Sequence, residues 1–225
     1  MGDDGNGYYS TANEIYTIIL MISSFSLPLA VSRLVAEREY AGEVKNSYKV
    51  LICSLRFAAV TGGILSILTF LLGGVITKYV MGVELASYAL RVLAPAIFLF
   101  ALTGVLRGFF QGHGTMVPTA VSQIIEQIIN AIVSVAGAYV MLQYGLKLGE
   151  KKGDAELGTA LAAAGGTFGT VASVGVALLF MIVIYLGYRN GFKRRMKKDK
   201  IRRSEEHTSE LQSPWHRGLR RVGVK

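Results

Sequence analysis

The stretch 118–144, PTAVSQIIEQIINAIVSVAGAYVMLQY, constrains this chain more than any other. It is long and apolar enough to cross a bilayer, which takes about 20 helical residues. Yet Gln123, Glu126, Gln127 and Asn130 interrupt it. Their spacing is i, i+3, i+4, i+7, so a helix gathers all four on one face. Ser134 and Gly137 continue that stripe. Lipid offers such groups no hydrogen-bond partner, so the stripe must face protein or a water-filled cavity. A carboxyl at membrane depth costs about 2.5 kcal/mol or more, which makes Glu126 a functional candidate. Two readings stay open: the stripe is the wall of a polar cavity, or it is a polar seam that joins two helices.

Composition supports a membrane setting. Of the 225 residues 52% are hydrophobic and only 17% charged, against about 25% charged in a soluble domain. The expected fold is all-α, a polytopic helix bundle in the membrane. A net charge of +9 would suit nucleic acid, but most of it lies in one juxtamembrane tail. That pattern orients a membrane protein facing anionic lipid, so the bilayer is the expected partner and nucleic acid is not. Cys53 is the only cysteine, which excludes an internal disulfide and a cysteine metal site. Three scattered histidines make no metal site either, and no cofactor is expected. The start of the chain lacks the charged, apolar and cleavage regions of a signal peptide.

Apolar runs predict five spans, at about 14–36, 50–75, 88–110, 118–144 and 157–188. Residues 1–13, polar and Gly-rich, read as an extracytoplasmic loop. Pro28 and Pro95 fall inside the first and third spans and are expected to kink them. Arg33, near the end of the first span, is either a side chain snorkelling to the headgroups or a planar donor for phosphate or carboxylate. Arg56 reads as snorkelling, and Arg91 and Arg107 lie near the two ends of the third span. The short Gly-rich connection after residue 110 makes the third and fourth spans antiparallel neighbours. In the fifth, Gly158, Ala162, Gly166 and Thr170 recur every four residues as a ridge for close packing. Residues 189–202 form a basic segment that marks the cytoplasmic side. Without that tail, Lys and Arg nearly balance between the two sides, so the tail decides the orientation.

Four stretches carry a family resemblance: SLPLAVSRLVAE at 26–37, LRVLAPAIF at 90–98, RGFFQGHGTMVPTAVSQIIEQ at 107–127 and GGTFGTVASVGVALLF at 165–180. They resemble the stage V sporulation protein B and polysaccharide-exporter families of the multidrug/oligosaccharidyl-lipid/polysaccharide flippase superfamily. The resemblance covers most of residues 5–190, and the block around RGFFQG is its most specific part. It implies helices in two pseudo-symmetric lobes, in line with the repeat logic of transporters. It also implies movement of undecaprenyl-pyrophosphate-linked sugars, lipid II among them, from the inner to the outer leaflet by alternating access, with no bond made or broken. Matched by motif, Arg33 would pair with the pyrophosphate near the cytoplasmic mouth of the cavity. Gln123, Glu126 and Gln127 match the family's SQ and EQ positions. Glu126 would then hydrogen-bond sugar or take part in cation or proton coupling.

The chain departs from that family at both ends. The five spans correspond to the family's second to sixth helices, so a first helix and a whole second lobe are expected to be missing, the lobe being the fragment's natural partner. RSEEHTSELQS, at 203–213, reads as the in-frame translation of a common sequencing-library adapter, and residues 203–225 are therefore expected to be a non-native tail rather than a genuine polar one. Two other functions remain open. A multidrug cation antiporter of the same superfamily would use Glu126 as its coupling carboxyl. A membrane scaffold that transports nothing would use the stripe only for packing.

Overall fold

Apolar helices gain no hydrophobic free energy by touching one another in lipid, so small residues that let backbones approach are what bring them together. This chain supplies 26 glycines. In a computed structural model it forms six helices: α1 (Gly2–Ser23), α2 (Leu27–Tyr40), α3 (Val44–Tyr79), α4 (Ala86–Gly112), α5 (Val117–Lys152) and α6 (Glu156–Gly218). The structure describes the backbone of residues 2–23, 26–79, 81–152 and 156–218, and the side chains of residues 6–21, 26–79, 81–148 and 158–195. Among the described residues there is no strand.

Helix α4 is the axis of the bundle. It touches α1, α2, α3, α5 and α6. Residues all round it are buried, from Leu90 and Leu93 near its start to Phe109 and Phe110 near its end. Two cores form along it. Ala12, Ile15, Tyr16 and Leu20 of α1 meet Leu90, Leu93 and Ile97 of α4 in one. Val31 and Val35 of α2, Leu51 of α3 and Met181 and Phe192 of α6 meet Phe109 and Phe110 in the other. The face of α3 carrying Phe57, Val60, Ile64, Ile67 and Leu71 is exposed and suited to lipid.

Three glycines at four-residue spacing, Gly104, Gly108 and Gly112, form the face of α4 on which α2 lies. A Cβ on Gly108 would run into the backbone of Pro28, and one on Gly112 would come within 2.6 Å of the Val35 side chain. The α5–α6 contact is built the same way. Gly137 faces Gly165 backbone to backbone, Ser134 fills the space at Gly169, and Gly145 lies on Gly158.

Four stretches are long and apolar enough to cross a membrane: Val44–Tyr79, Ala86–Gly112, Val117–Leu148 and Gly158–Arg195. The expected first span at 14–36 is not one helix, because the chain breaks between α1 and α2. With 14 residues, α2 rises only about 21 Å, short of a hydrocarbon core of about 30 Å. Pro28 explains the break. It occupies the first turn of α2 rather than the interior of a longer helix, and there its missing N–H costs nothing. Pro95, by contrast, lies inside α4, which continues through it.

Other boundaries also differ from expectation. Residues 2–13, expected as a loop, are helical in α1. Tyr8, Tyr9 and Ala12 pack on the α4 core, and such packing outweighs the helix cost of glycine. The polar segment after the predicted fourth span, from residue 145, is helical to Lys152. The ridge on α6 is displaced by one residue. Gly158 and Thr170 do reach α5, but the closest approach uses Gly165 and Gly169. The basic segment from 189 continues α6. Its side chains beyond Arg195, and the side chains of the tail at 203–225, lie outside the described residues.

A methyl group distinguishes backbone contact from open space. Gly165→Ala is expected to lose about 1–3 kcal/mol of stability by overpacking. Gly187→Ala, which would meet nothing within 4 Å, is expected to stay within about 0.5 kcal/mol of the parent. Thermal unfolding of the detergent-solubilised chain measures both.

Candidate functional site

An arginine and a glutamate in apolar helices must find each other or find water. Arg107, one turn before the end of α4, and Glu126, on the third turn of α5, do so across the α4–α5 connection. Arg107 Nη2 donates to Glu126 Oε2 at 2.6 Å. Arg107 Nε donates to Ser122 Oγ at 2.9 Å, and Ser122 Oγ in turn donates to the Thr119 carbonyl at 2.7 Å. The side chains of Arg107 and Glu126 are 7% and 14% exposed. A short, charge-assisted contact so sheltered holds the two charges as one neutral unit.

The polar stripe of α5 changes partner along its length. Glu126 turns to α4. One turn later Asn130 Oδ1 accepts from Ser134 Oγ at 3.0 Å and from Thr170 Oγ1 of α6 at 3.4 Å. Gln123 and Gln127 are exposed. Gln123 borders a cleft of about 180 Å³ between α2, α4 and α5, whose other walls include Pro28, Gly104, Arg107, Gln111 and Thr119. The cleft exists because α5 meets α4 around Arg107 and otherwise packs on α6. The expected antiparallel pair is thus joined at one end only.

Arg33 is exposed, with no ion pair or hydrogen bond to any described residue. It projects from α2 away from Val31 and Val35, which are buried against α4. It does not line the cleft at Gln123. Of the residues singled out in the sequence, Glu126 and Asn130 are therefore engaged with other helices, while Gln123, Gln127 and Arg33 present free polar groups. Among the described residues no cluster of His, Cys, Asp and Glu could hold a metal ion.

Sequence reasoning missed the role of Arg107, which it placed only near a helix end. Its partner was legible in principle. The connection is short, Arg107 lies in the second turn before it and Glu126 in the third turn after it, so an antiparallel hairpin brings them within reach. The three glycines at 104, 108 and 112 also carried a signal, the small-residue repeat that marks close helix packing.

The chain matches the polysaccharide biosynthesis protein family over residues 1–204. It is similar to stage V sporulation protein B of Bacillus subtilis (strain 168), at 27% identity over 185 residues, which is 82% of this chain and 33% of that protein. It is also similar to the lipid II flippase MurJ of Bacillus subtilis (strain 168), at 28% identity over 151 residues, 64% of this chain and 28% of that protein. It spans about a third of the length of the curated relatives it matches. No solved structure matches it. With its apolar helices and a match that runs through all of them, this chain is a multi-pass membrane protein that belongs to the polysaccharide biosynthesis protein family.

Proposed function

We propose that this chain is part of a flippase that moves an undecaprenyl-pyrophosphate-linked oligosaccharide, lipid II or a related precursor, across the bacterial cytoplasmic membrane. The observation that carries the reading is the pair of exposed amides, Gln123 and Gln127, on a helix otherwise suited to lipid. Bare amides at membrane depth are costly unless water or a polar ligand meets them. A sugar chain, rich in hydroxyls, is such a ligand. Arg33 adds an unpaired guanidinium, whose planar fork fits pyrophosphate oxygens in bidentate fashion.

In this reading Arg33 holds the pyrophosphate, and Gln123 and Gln127 hydrogen-bond the sugars along the wall of a polar cavity. The polyprenyl tail stays in lipid. A second lobe supplies the facing wall, and rocking of one lobe against the other alternates access. No bond is made or broken. Arg107 and Glu126 position α5 rather than touch the sugar. The engaged carboxylate of Glu126 also speaks against an organic-cation antiporter, which would need it free. The similarity to the lipid II flippase MurJ supports the substrate class.

Growth tests the reading. The longest open reading frame that carries this chain is expected to restore growth to a bacterium depleted of its lipid II flippase. Arg33→Ala, at equal membrane abundance, is expected to abolish rescue, and Gln123→Ala with Gln127→Ala to weaken it. Rescue by all variants would remove these residues from the substrate path. Failure of the well-expressed parent would sink the lipid II assignment.

Stability tests the charge pair separately. Glu126→Leu strands a buried guanidinium and is expected to cost about 3–5 kcal/mol, whereas Arg107→Met with Glu126→Leu removes both charges and is expected to recover most of that loss. Melting of the three purified proteins measures the difference. A double variant as unstable as the single would show that the two residues do not act as a unit.

A further inference from the structure

At the far end of α2 two buried polar atoms face each other outside the site just described. Helices α2 and α4 close with the same turn. The N–H groups of Gly42 and Glu43 return to the carbonyls of Glu39 and Arg38, and those of Gly114 and Thr115 to Gln111 and Phe110. Each turn needs a left-handed residue, and glycine supplies it, with φ of 71° at Gly42 and 75° at Gly114. The matched turns set Glu39, in the last turn of α2, beside His113, the C-cap of α4. His113 Nε2 lies 3.1 Å from Glu39 Oε1. The imidazole is 7% exposed. It packs against Phe109 and Phe192, with ring centroids 4.4 and 4.8 Å away.

The contact is one proton short of a hydrogen bond. His113 Nδ1 is 2.8 Å from the Phe109 carbonyl oxygen. A carbonyl only accepts, so Nδ1 carries the hydrogen. In a neutral ring Nε2 is then a bare acceptor, and an ionised Glu39 also only accepts. Both atoms are shut off from solvent. Despite their proximity, neither has a hydrogen bond of good geometry with any described group. Two acceptors held at such a distance repel. One added proton turns the contact into a charge-assisted N–H···O bond between imidazolium and carboxylate.

Charges of both signs surround the ring. The C-termini of α2 and α4 both place partial negative charge here. Arg195 of α6 brings a positive one. With His113, Thr115, Tyr188, Gly191 and Phe192, Arg195 lines a cavity of about 300 Å³ that reaches the imidazole. Tyr188 is the other titratable group that α6 brings to that cavity. On the α2 side, Arg38 is paired with Glu43 at 3.2 Å.

We propose that Glu39 and His113 form a proton-binding site that latches the C-terminal end of α2 to α4. With the proton bound the latch is closed; without it the two acceptors push apart and α2 is released at that end. Arg33 lies six residues from Glu39 on the same short helix, so the latch governs the position of an exposed guanidinium. Glu126 does not fill this role, because Arg107 engages its carboxylate. The site does not depend on which ligand the chain carries.

Distance across the latch tests it. Spin labels attached through Tyr40→Cys and Met116→Cys, in a Cys53→Ser background, flank the pair at positions that are 97% and 71% exposed. The inter-label distance of the full chain in lipid nanodiscs is measured at about pH 5.5 and about pH 8.5, which bracket the ordinary titration range of histidine. A short, narrow distribution is expected at the lower pH and a longer or broader one at the higher. Glu39→Gln, whose amide can donate to a neutral Nε2, is expected to stay short at both. His113→Gln is expected to lose the pH response, and if it fails to fold, Glu39→Gln decides alone. A parent distance that does not change with pH, or a pH response retained in Glu39→Gln, overturns the proposal.

Discussion

Close approach of backbones to α4 is the constraint on which the rest of this bundle depends. In lipid, apolar side chains cannot drive helices together, and what remains is dispersion between well-packed surfaces. Gly104, Gly108 and Gly112 let α2 lie against α4 until backbone meets backbone. On another side Gly62 of α3 admits Ala101 of α4, where a Cβ on the glycine would come within 2.9 Å. Those glycines open the face of α4 on which the short helix α2 lies. Its exposed Arg33 and its half-buried Glu39 are both placed by that one interface.

Charge then decides what packing leaves open. Helix α5 has glycine contacts with α6 but few contacts with α4. The pair Arg107–Glu126, with Ser122 and Thr119, ties α5 back to α4 near the connection between them. A small cleft stays open beside Gln123 as a result. One end of α4 therefore carries two charged contacts. Arg107 faces α5 as a neutralised pair, and His113 faces Glu39 of α2. Both act where a helix end leaves partners unfilled, and together they fix the two helices that bear the free polar groups.

Much of the architecture was legible. Apolar length alone identified the membrane helices α3 to α6, because only a helix satisfies its own backbone in lipid. The interruption of 118–144 by Gln123, Glu126, Gln127 and Asn130 singled out the helix with the polar stripe. From sequence alone Pro28 reads as a kink, since a sequence does not say whether proline ends one helix or bends another. The helical start of α1 was not legible either, because local glycine propensity argues for a loop and only the core around Leu93 overrides it.

The sequence by itself determined that the chain is a helical membrane bundle with a polar face on α5, because periodicity and hydropathy are local properties of a helix. Tertiary structure alone decided which of those polar groups are bound and which are free. Glu126 is paired, Asn130 is shared with α6, and Gln123, Gln127 and Arg33 are left open. The same holds for Glu39 and His113, which are 74 positions apart in sequence and 3.1 Å apart in space. Partnership between side chains depends on how close two backbones come. That distance is set by glycines on the face of α4 that α2 covers and by those between α5 and α6.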